Sequence, residues 1–252
     1  MPCYFGTDNV FEKPGTVTVT NEADGYPKEN GYDWLLYDFW QPGATGDQSI
    51  TIELNNPQIC NYVAIAGHNL GDTVTAGVTA SYSNDGAVWT EHINGVTIQE
   101  DSQTAMLVVA DSPSAKYWRV TLTEIAATTR VGHVSLGYAF GFPLMAPFVP
   151  PMASNIGDQR INMSRDGIYL GNTYHLEAFD MRIRLKHIAP AVARQWFPGI
   201  INHIYRKPFF FSWNNVDYPE DAAFCWLTKA PKNYKYDNIK FTSFNVNAVG
   251  IR

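Results

Sequence analysis

Cysteine is scarce in this 252-residue sequence: Cys3, Cys60 and Cys225 are far apart and odd in number. With no Cys-x-x-Cys pair and no Cys/His cluster, nothing argues for a structural zinc site. The six histidines (68, 92, 133, 175, 187 and 203) fall into no HxH or HxxxH spacing, so no metal ligand set is expected. Long hydrophobic runs are absent. No stretch of 18 apolar residues offers a membrane span, and Met1-Pro2-Cys3-Tyr4-Phe5-Gly6 lacks a basic and an apolar leader region. Synthesis in a cytoplasm without an export signal is the expectation. Catalytic signatures are also missing: there is no GxSxG, no P-loop and no GxGxxG. A glycosidase needs two carboxylates facing one cleft, whereas neighbours such as Glu100-Asp101 point to opposite faces and read as a solvated acidic turn. No enzyme and no cofactor are expected.

Positive charge is sparse in the first half. Residues 1–142 hold 5 Lys/Arg against 16 Asp/Glu, a net of −11, and residues 143–252 hold 13 against 8, a net of +5. Halves of opposite sign attract each other, or copies of each other. The basic residues of the second half are dispersed, with no run longer than Arg206-Lys207, so nucleic acid is not an expected partner. What the sequence has in quantity is aromatic residues, 14%, within a hydrophobic content of 45%. That supply suits sheet faces and contact surfaces. Between the halves lies Phe142-Pro143-Leu144-Met145-Ala146-Pro147-Phe148-Val149-Pro150-Pro151-Met152, with four prolines in residues 143–151. Proline fixes φ and donates no hydrogen bond, so this segment reads as a stiff, extended strap. The expected organisation is a domain over residues 1–141, a linker over 142–152 and a domain over 153–252. A long surface loop is the plainer reading of the strap, but Leu144, Met145, Phe148 and Val149 are too apolar for a free tether.

In the first half, alternating segments at residues 16–20, 49–54, 60–66, 74–83, 106–110, 117–123 and 132–140 read as strands, with turns such as Ser83-Asn84-Asp85-Gly86 between them. Many short strands without an amphipathic helix indicate an all-β sandwich. Residues 21–48 are turn-rich and carry Tyr26, Tyr32, Trp34, Tyr37, Phe39 and Trp40; such a loop packs inward or binds something. Tyr82-Ser83-Asn84-Asp85-Gly86-Ala87-Val88-Trp89-Thr90 resembles a recurrent turn of discoidin-like, galactose-binding-like jelly rolls. Tyr117-Trp118-Arg119-Val120-Thr121-Leu122 resembles one of their strands, and residues 21–30 with Asp33 and Trp34 resemble their opening turn. The resemblance spans about residues 8–140. It implies a jelly roll whose end loops bind sugars or lipid head groups, here with Trp34, Tyr37, Trp40, His68 and Asn69 as candidate glycan contacts. It also raises a structural calcium, for which Asp24, Asn30 and Asp33 are the available oxygens. Trp89 is expected in the core, and Arg119 is expected to satisfy a carboxylate or carbonyl across strands.

In the second half, residues 174–185 alternate as a long strand with a bulge expected at Ala178-Phe179. Residues 190–204 are the one convincing helix: Val192, Trp196, Ile200 and Ile204 recur every four residues, and Pro190 suits the first turn. Pro198-Gly199 should kink or divide it. Residues 207–213, 222–228 and 241–249 read as further strands. Pro208-Phe209-Phe210-Phe211-Ser212-Trp213, Tyr218-Pro219 and Phe224-Cys225-Trp226 resemble the C-terminal region of tailed-bacteriophage tail proteins. The order of strand, helix and strands is similar to the ring-building sandwich units of tail-tube and distal tail proteins, although those proteins place the ring domain first. The resemblance implies a mainly β chain of two sandwiches with one flanking helix. It also implies a structural role at the distal tail or baseplate of a virion, self-assembly into a ring (a hexamer), and tail-tube and baseplate proteins as partners. The assembly surface is expected to use Phe148, Trp196, Phe209, Phe211 and Trp213. The alternative is a carbohydrate-binding module used in attachment to host-surface glycans.

Overall fold

The computed structural model describes residues 2–72, 77–96, 98, 102–126, 128–143, 155–215, 217–230, 234–237 and 239–252. Its elements, in chain order, begin with β1 (Pro2–Gly6), β2 (Gly15–Val19), β3 (Gly46–Ile59), β4 (Tyr62–His68), β5 (Gly77–Ser83) and β6 (Thr90–Ile93). Next come β7 (Thr104–Val108), β8 (Ser114–Ile125), β9 (Val131–Gly137), β10 (Ala139–Pro143), β11 (Asn155–Met163) and β12 (Tyr169–Ile188). The chain closes with α1 (Pro190–Ile204), β13 (Phe209–Asn214), β14 (Tyr218–Leu227), β15 (Lys235–Tyr236) and β16 (Thr242–Ile251). The mainly β sandwich class with one helix is as the sequence indicates, and α1 has the expected bounds.

The strands form a five-stranded sheet β2-β3-β8-β5-β6, a three-stranded sheet β7-β4-β9, and an eight-stranded sheet ordered β10-β1-β13-β14-β16-β12-β11 with β15 beside β16. Side-chain alternation stacks them. The five-stranded sheet turns Ile50, Ile52, Trp118, Val120 and Leu122 onto Val63 and Ile65 of β4. The other face of β4, through Tyr62, Ala64 and Ala66, meets Phe210 of β13 and Ala222 and Phe224 of β14. Phe209, Phe211, Ala223 and Cys225 point the opposite way, onto Ala193, Phe197, Ile200 and Ile204 of α1. The order is therefore five-stranded sheet, three-stranded sheet, eight-stranded sheet, helix. Strands buried on both faces read as continuous apolar runs rather than alternating ones. This accounts for Tyr62-Val63-Ala64-Ile65-Ala66 and for the three phenylalanines 209 to 211, each fully buried.

The topology corrects the sequence-based division at residues 141 and 153. β1 lies between β10 and β13, with Phe5 opposite both Phe140 and Phe211. The first strand thus belongs to the sheet of the second half, and β2 to β9 are inserted between β1 and β10. A five-residue strand whose partner lies some 200 residues away leaves no local signature. The layers are also joined by polar groups: Asn215 Nδ2 donates to Val108 O (2.7 Å) and its Oδ1 accepts from Val108 N (3.1 Å), as a strand partner would. Lys207 pairs with Glu12, so opposite charges from the two halves meet within one chain.

Other expectations fare variously. Of the strap, Phe142 is fully buried and packs on Trp196 and Phe197, whereas residues 144–152, Phe148 included, lie outside the described residues. Pro198 sits inside α1 without dividing it; it lies on the exposed side, and the buried stripe continues past it. In the β11–β12 pairing the register shifts between Gly157 and Gln159, opposite residues 174–177, so the bulge precedes Ala178-Phe179. Trp89 is half-buried under the Arg119 guanidinium, 4.1 Å from its ring centre, whereas the neighbouring Trp118 of β8 is fully buried. Arg119 Nε has no hydrogen-bond partner among the described residues. Phe209 and Phe211 are core residues and cannot form an assembly surface. Trp196 and Trp213 are half-buried, against Phe140 and Phe142 and against Tyr218 respectively. No helix among the described residues is long and apolar enough to cross a membrane.

Candidate functional site

The long loop between β2 and β3 packs by one set of aromatics and exposes another. Trp40 forms a two-way bridge with Val131 at the start of β9 (both N···O 3.0 Å), which fixes the loop to the sandwich end. In extended backbone successive side chains point to opposite sides. Trp40 goes inward and is fully buried, while Phe39 goes outward and stacks on Tyr26 with ring centres 4.8 Å apart at 14°. Tyr26 is placed by a turn in which its N–H donates to Ala23 O (3.1 Å), with Gly25 at φ +83, a region glycine enters without steric cost. The Glu22 carboxylate accepts from the Lys28 N–H (2.9 Å), the Asn21 side chain from the Gly43 N–H (2.6 Å), and Phe39 O from Asn30 Nδ2 (3.3 Å). These bonds hold the loop and its aromatic pair in place.

A second loop brings charge to it. The Arg130 guanidinium lies 5.6 Å from the Phe39 ring centre. Asn69 sets its place: Oδ1 accepts from the Arg130 N–H (2.8 Å) and Nδ2 donates to Thr128 O (3.1 Å). Tyr37 stands 80% exposed beside Leu35 at 41%. Glu22, Asp24, Glu29 and Asp33 are exposed around the same tip. Partial burial pushes the Asp33 carboxyl up from its usual range, opposed by the Leu35 N–H that it accepts at 2.8 Å. The arrangement combines a rigid aromatic surface, one guanidinium and a rim of carboxylate acceptors.

Of the five candidate glycan contacts, Tyr37 alone is widely exposed. Trp34 is 3% exposed and stacks on His133, ring centres 4.3 Å apart. It joins His203, Phe210 and Phe224 where the three-stranded sheet meets the eight-stranded one. Trp40 and His68 are also buried, and burial lowers the His68 pKa to about 4. Asn69 is partly exposed but engaged in positioning Arg130. The sequence reading named Tyr26 and Phe39 among the loop aromatics but not as candidate contacts, and it did not single out Arg130. The available signal was the Phe39-Trp40 pair, since two adjacent aromatics in extended chain cannot both face the same core. No group of three or more His, Cys, Asp or Glu able to hold a metal occurs among the described residues, and Asn30 turns its amide to Phe39 O.

No protein-family model matches the chain, and no curated relative matches it. Solved structures do. A carbohydrate-binding module of family 32 from Clostridium perfringens is similar at 18% identity and TM-score 0.43, over 51% of this chain and 98% of its own. A pectin-binding carbohydrate-binding module is similar at 18% identity and TM-score 0.41, over 49% of this chain and 89% of its own. The family 32 module of AlyQ, in complex with 4,5-unsaturated mannuronic acid, is similar at 26% identity and TM-score 0.41, over 52% and 96%.

Proposed function

We propose that this chain is a non-catalytic carbohydrate-binding protein that takes glycans on the Tyr26–Phe39–Arg130 platform. The observation that carries this reading is the prefixed stack of an exposed Tyr26 on a half-buried Phe39 at the end of the inserted sandwich. A pyranose ring has an apolar C–H face and a rim of hydroxyls. The C–H face suits the electron-rich face of an aromatic ring, and hydroxyls suit carboxylate acceptors and a guanidinium donor. Loop-borne aromatics on a rigid scaffold bind with little ordering cost. A glycan array with the full chain tests it: binding to a set of glycans that disappears in Tyr26→Ala/Phe39→Ala supports the reading, and a blank array sinks it.

A second reading, a ring subunit at the distal tail or baseplate of a virion, draws on another observation. Residues 169–178 of β12 pair with β11 alone, because β16 pairs with β12 only from Phe179 onward. A two-stranded arm thus runs beyond the sheet, and Met163, Ile168, Tyr169 and Leu170 are 60–65% exposed near its tip. An isolated two-stranded ribbon is marginal in water, and exposed apolar clusters mark contact surfaces. In this reading the arm would contact a neighbour and the jelly roll would present the glycan platform. Electron micrographs of the purified chain decide it: rings support assembly, and dispersed monomers at high concentration contradict it.

A further inference from the structure

The eight-stranded sheet is wider than the layer that covers it. Its β13–β14 region lies under the three-stranded sheet, but β12 and β16 continue past that cover. On this stretch Met181, Ile183 and Leu185 face the helix side, so Asp180, Arg182 and Arg184 face outward. Across the ladder Arg182 is paired with Asn247 and Arg184 with Asn245. Directly opposed residues share a face, within about 5.5 Å at Cβ. Thr228 and Lys229, just past β14, close the side. The result is a bay of about 360 Å³ lined by Asp180, Arg182, Arg184, Thr228, Lys229 and Asn247.

The lining is chemically selective. Arg182 has Asp180 at 3.9 Å, whereas Arg184 and Lys229 form no ion pair among the described residues. A guanidinium fork with a nearby ammonium fits a carboxylate. A simple anion would also face the Asp180 carboxylate, which repels it. Asp180 instead favours a ligand whose hydroxyls donate to it beside its negative charge, and Asn247 and Thr228 can donate to or accept from the same hydroxyls. The volume is near the low end of small-molecule sites and suits one or two sugar rings. No aromatic lines the bay, which sets it apart from the loop platform. We infer that this bay binds a carboxylated saccharide of the uronic-acid type, with Arg184 and Lys229 on the carboxylate and Asp180, Asn247 and Thr228 on hydroxyls. The site is independent of the Tyr26–Phe39 platform.

The test is calorimetric titration of the full chain with uronic-acid trimers of differing stereochemistry, their methyl esters, and sodium sulfate at low ionic strength. At least one trimer is expected to bind, at least tenfold more weakly to Arg184→Gln/Lys229→Gln and unchanged to Phe39→Ala. The methyl ester is expected to lose the same tenfold. Asp180→Asn is expected to narrow the preference for the trimer over sulfate. Arg184 and Lys229 are exposed and Asp180 and Phe39 half-buried, and unchanged melting temperatures establish that the variants are folded. The inference is overturned if no trimer binds, if the double variant binds as well as the parent, or if sulfate displaces the trimer at equal concentration. It is also overturned if the double variant alters only the sedimentation of the chain, because a second protein copy would then be the occupant.

Discussion

Acid should weaken this fold through His133, and the size of the expected effect follows from its surroundings. The Trp34 backbone N–H donates to His133 Nδ1 at 3.1 Å, so that nitrogen must be unprotonated. Trp34 itself sits at φ +68, a strained position for a non-glycine residue that this bond helps to hold. His133 Nε2 is buried without a partner among the described residues. Burial foremost, then the Lys207 and His203 charges, lower the His133 pKa from 6.5 to about 3. Between those values the unfolded chain binds a proton that the native state refuses. The stability is therefore complete above pH 6.5 and is lost as pH falls toward 3. At pH 5.0, 1.5 units below the unfolded value, the loss is about 2 kcal/mol at roughly 1.36 kcal/mol per unit. His68, buried with a pKa of about 4, adds about 2 kcal/mol by the same reasoning. A combined loss of about 4 kcal/mol is a large share of a typical 5–15 kcal/mol stability. Urea denaturation at pH 7.5 and 5.0 reads it directly. His133→Asn keeps an acceptor near the Nδ1 position; this variant should start less stable but lose only about 2 kcal/mol over the same interval. Equal losses in parent and variant, or a flat parent between the two pH values, would refute the reasoning.

Other outcomes follow from packing. Trp34→Ala removes a buried indole that contacts His133, His203, Phe210 and Phe224, and should cost about 3–5 kcal/mol in denaturation. A stable Trp34→Ala variant would undo the placement of that residue in the core. Deleting residues 1–6 removes the strand between β10 and β13 together with Phe5, and should abolish the cooperative thermal transition of the large sheet. An unchanged transition would restore a boundary near residue 141. The three buried thiols should ignore a thiol reagent in the native protein and react only on unfolding, since burial raises the Cys3 pKa to about 12 and those of Cys60 and Cys225 well above 9.

The elements were largely legible because periodicity reports which side of a segment is buried. Val192, Trp196, Ile200 and Ile204 marked α1, and β12 showed its Met181-Ile183-Leu185 alternation. Pairing between distant segments leaves no such mark. β1 was not marked as a strand in the sequence, and only its neighbours in the structure make the first and second halves share a sheet. Phe209 and Phe211 suggested an assembly surface because one apolar run fits either a partner chain or two covered faces; the layer on each side decides. The loop aromatics divide for the same reason. Composition marked residues 21–48 as inward-packing or binding; the inward packing is seen where the bridge to Val131 buries Trp40, while Phe39 beside it is only half-buried. Asp85 illustrates the part that local chemistry does determine. Its carboxylate accepts from the Ala87 and Val88 N–H groups, both at 2.9 Å, which holds its pKa at about 2 and fixes the turn that the Ser83-Asn84-Asp85-Gly86 sequence indicated.

The most direct test of a glycan-binding role is a calorimetric titration of the strongest array ligand into the parent chain, Phe39→Ala and Arg130→Ala. Removing one face of the stack should weaken binding about tenfold, or about 1.4 kcal/mol, at unchanged melting temperature. Arg130→Ala should weaken it by a smaller factor. Undiminished affinity in both variants would contradict the account and move the binding surface away from the Tyr26–Phe39 stack.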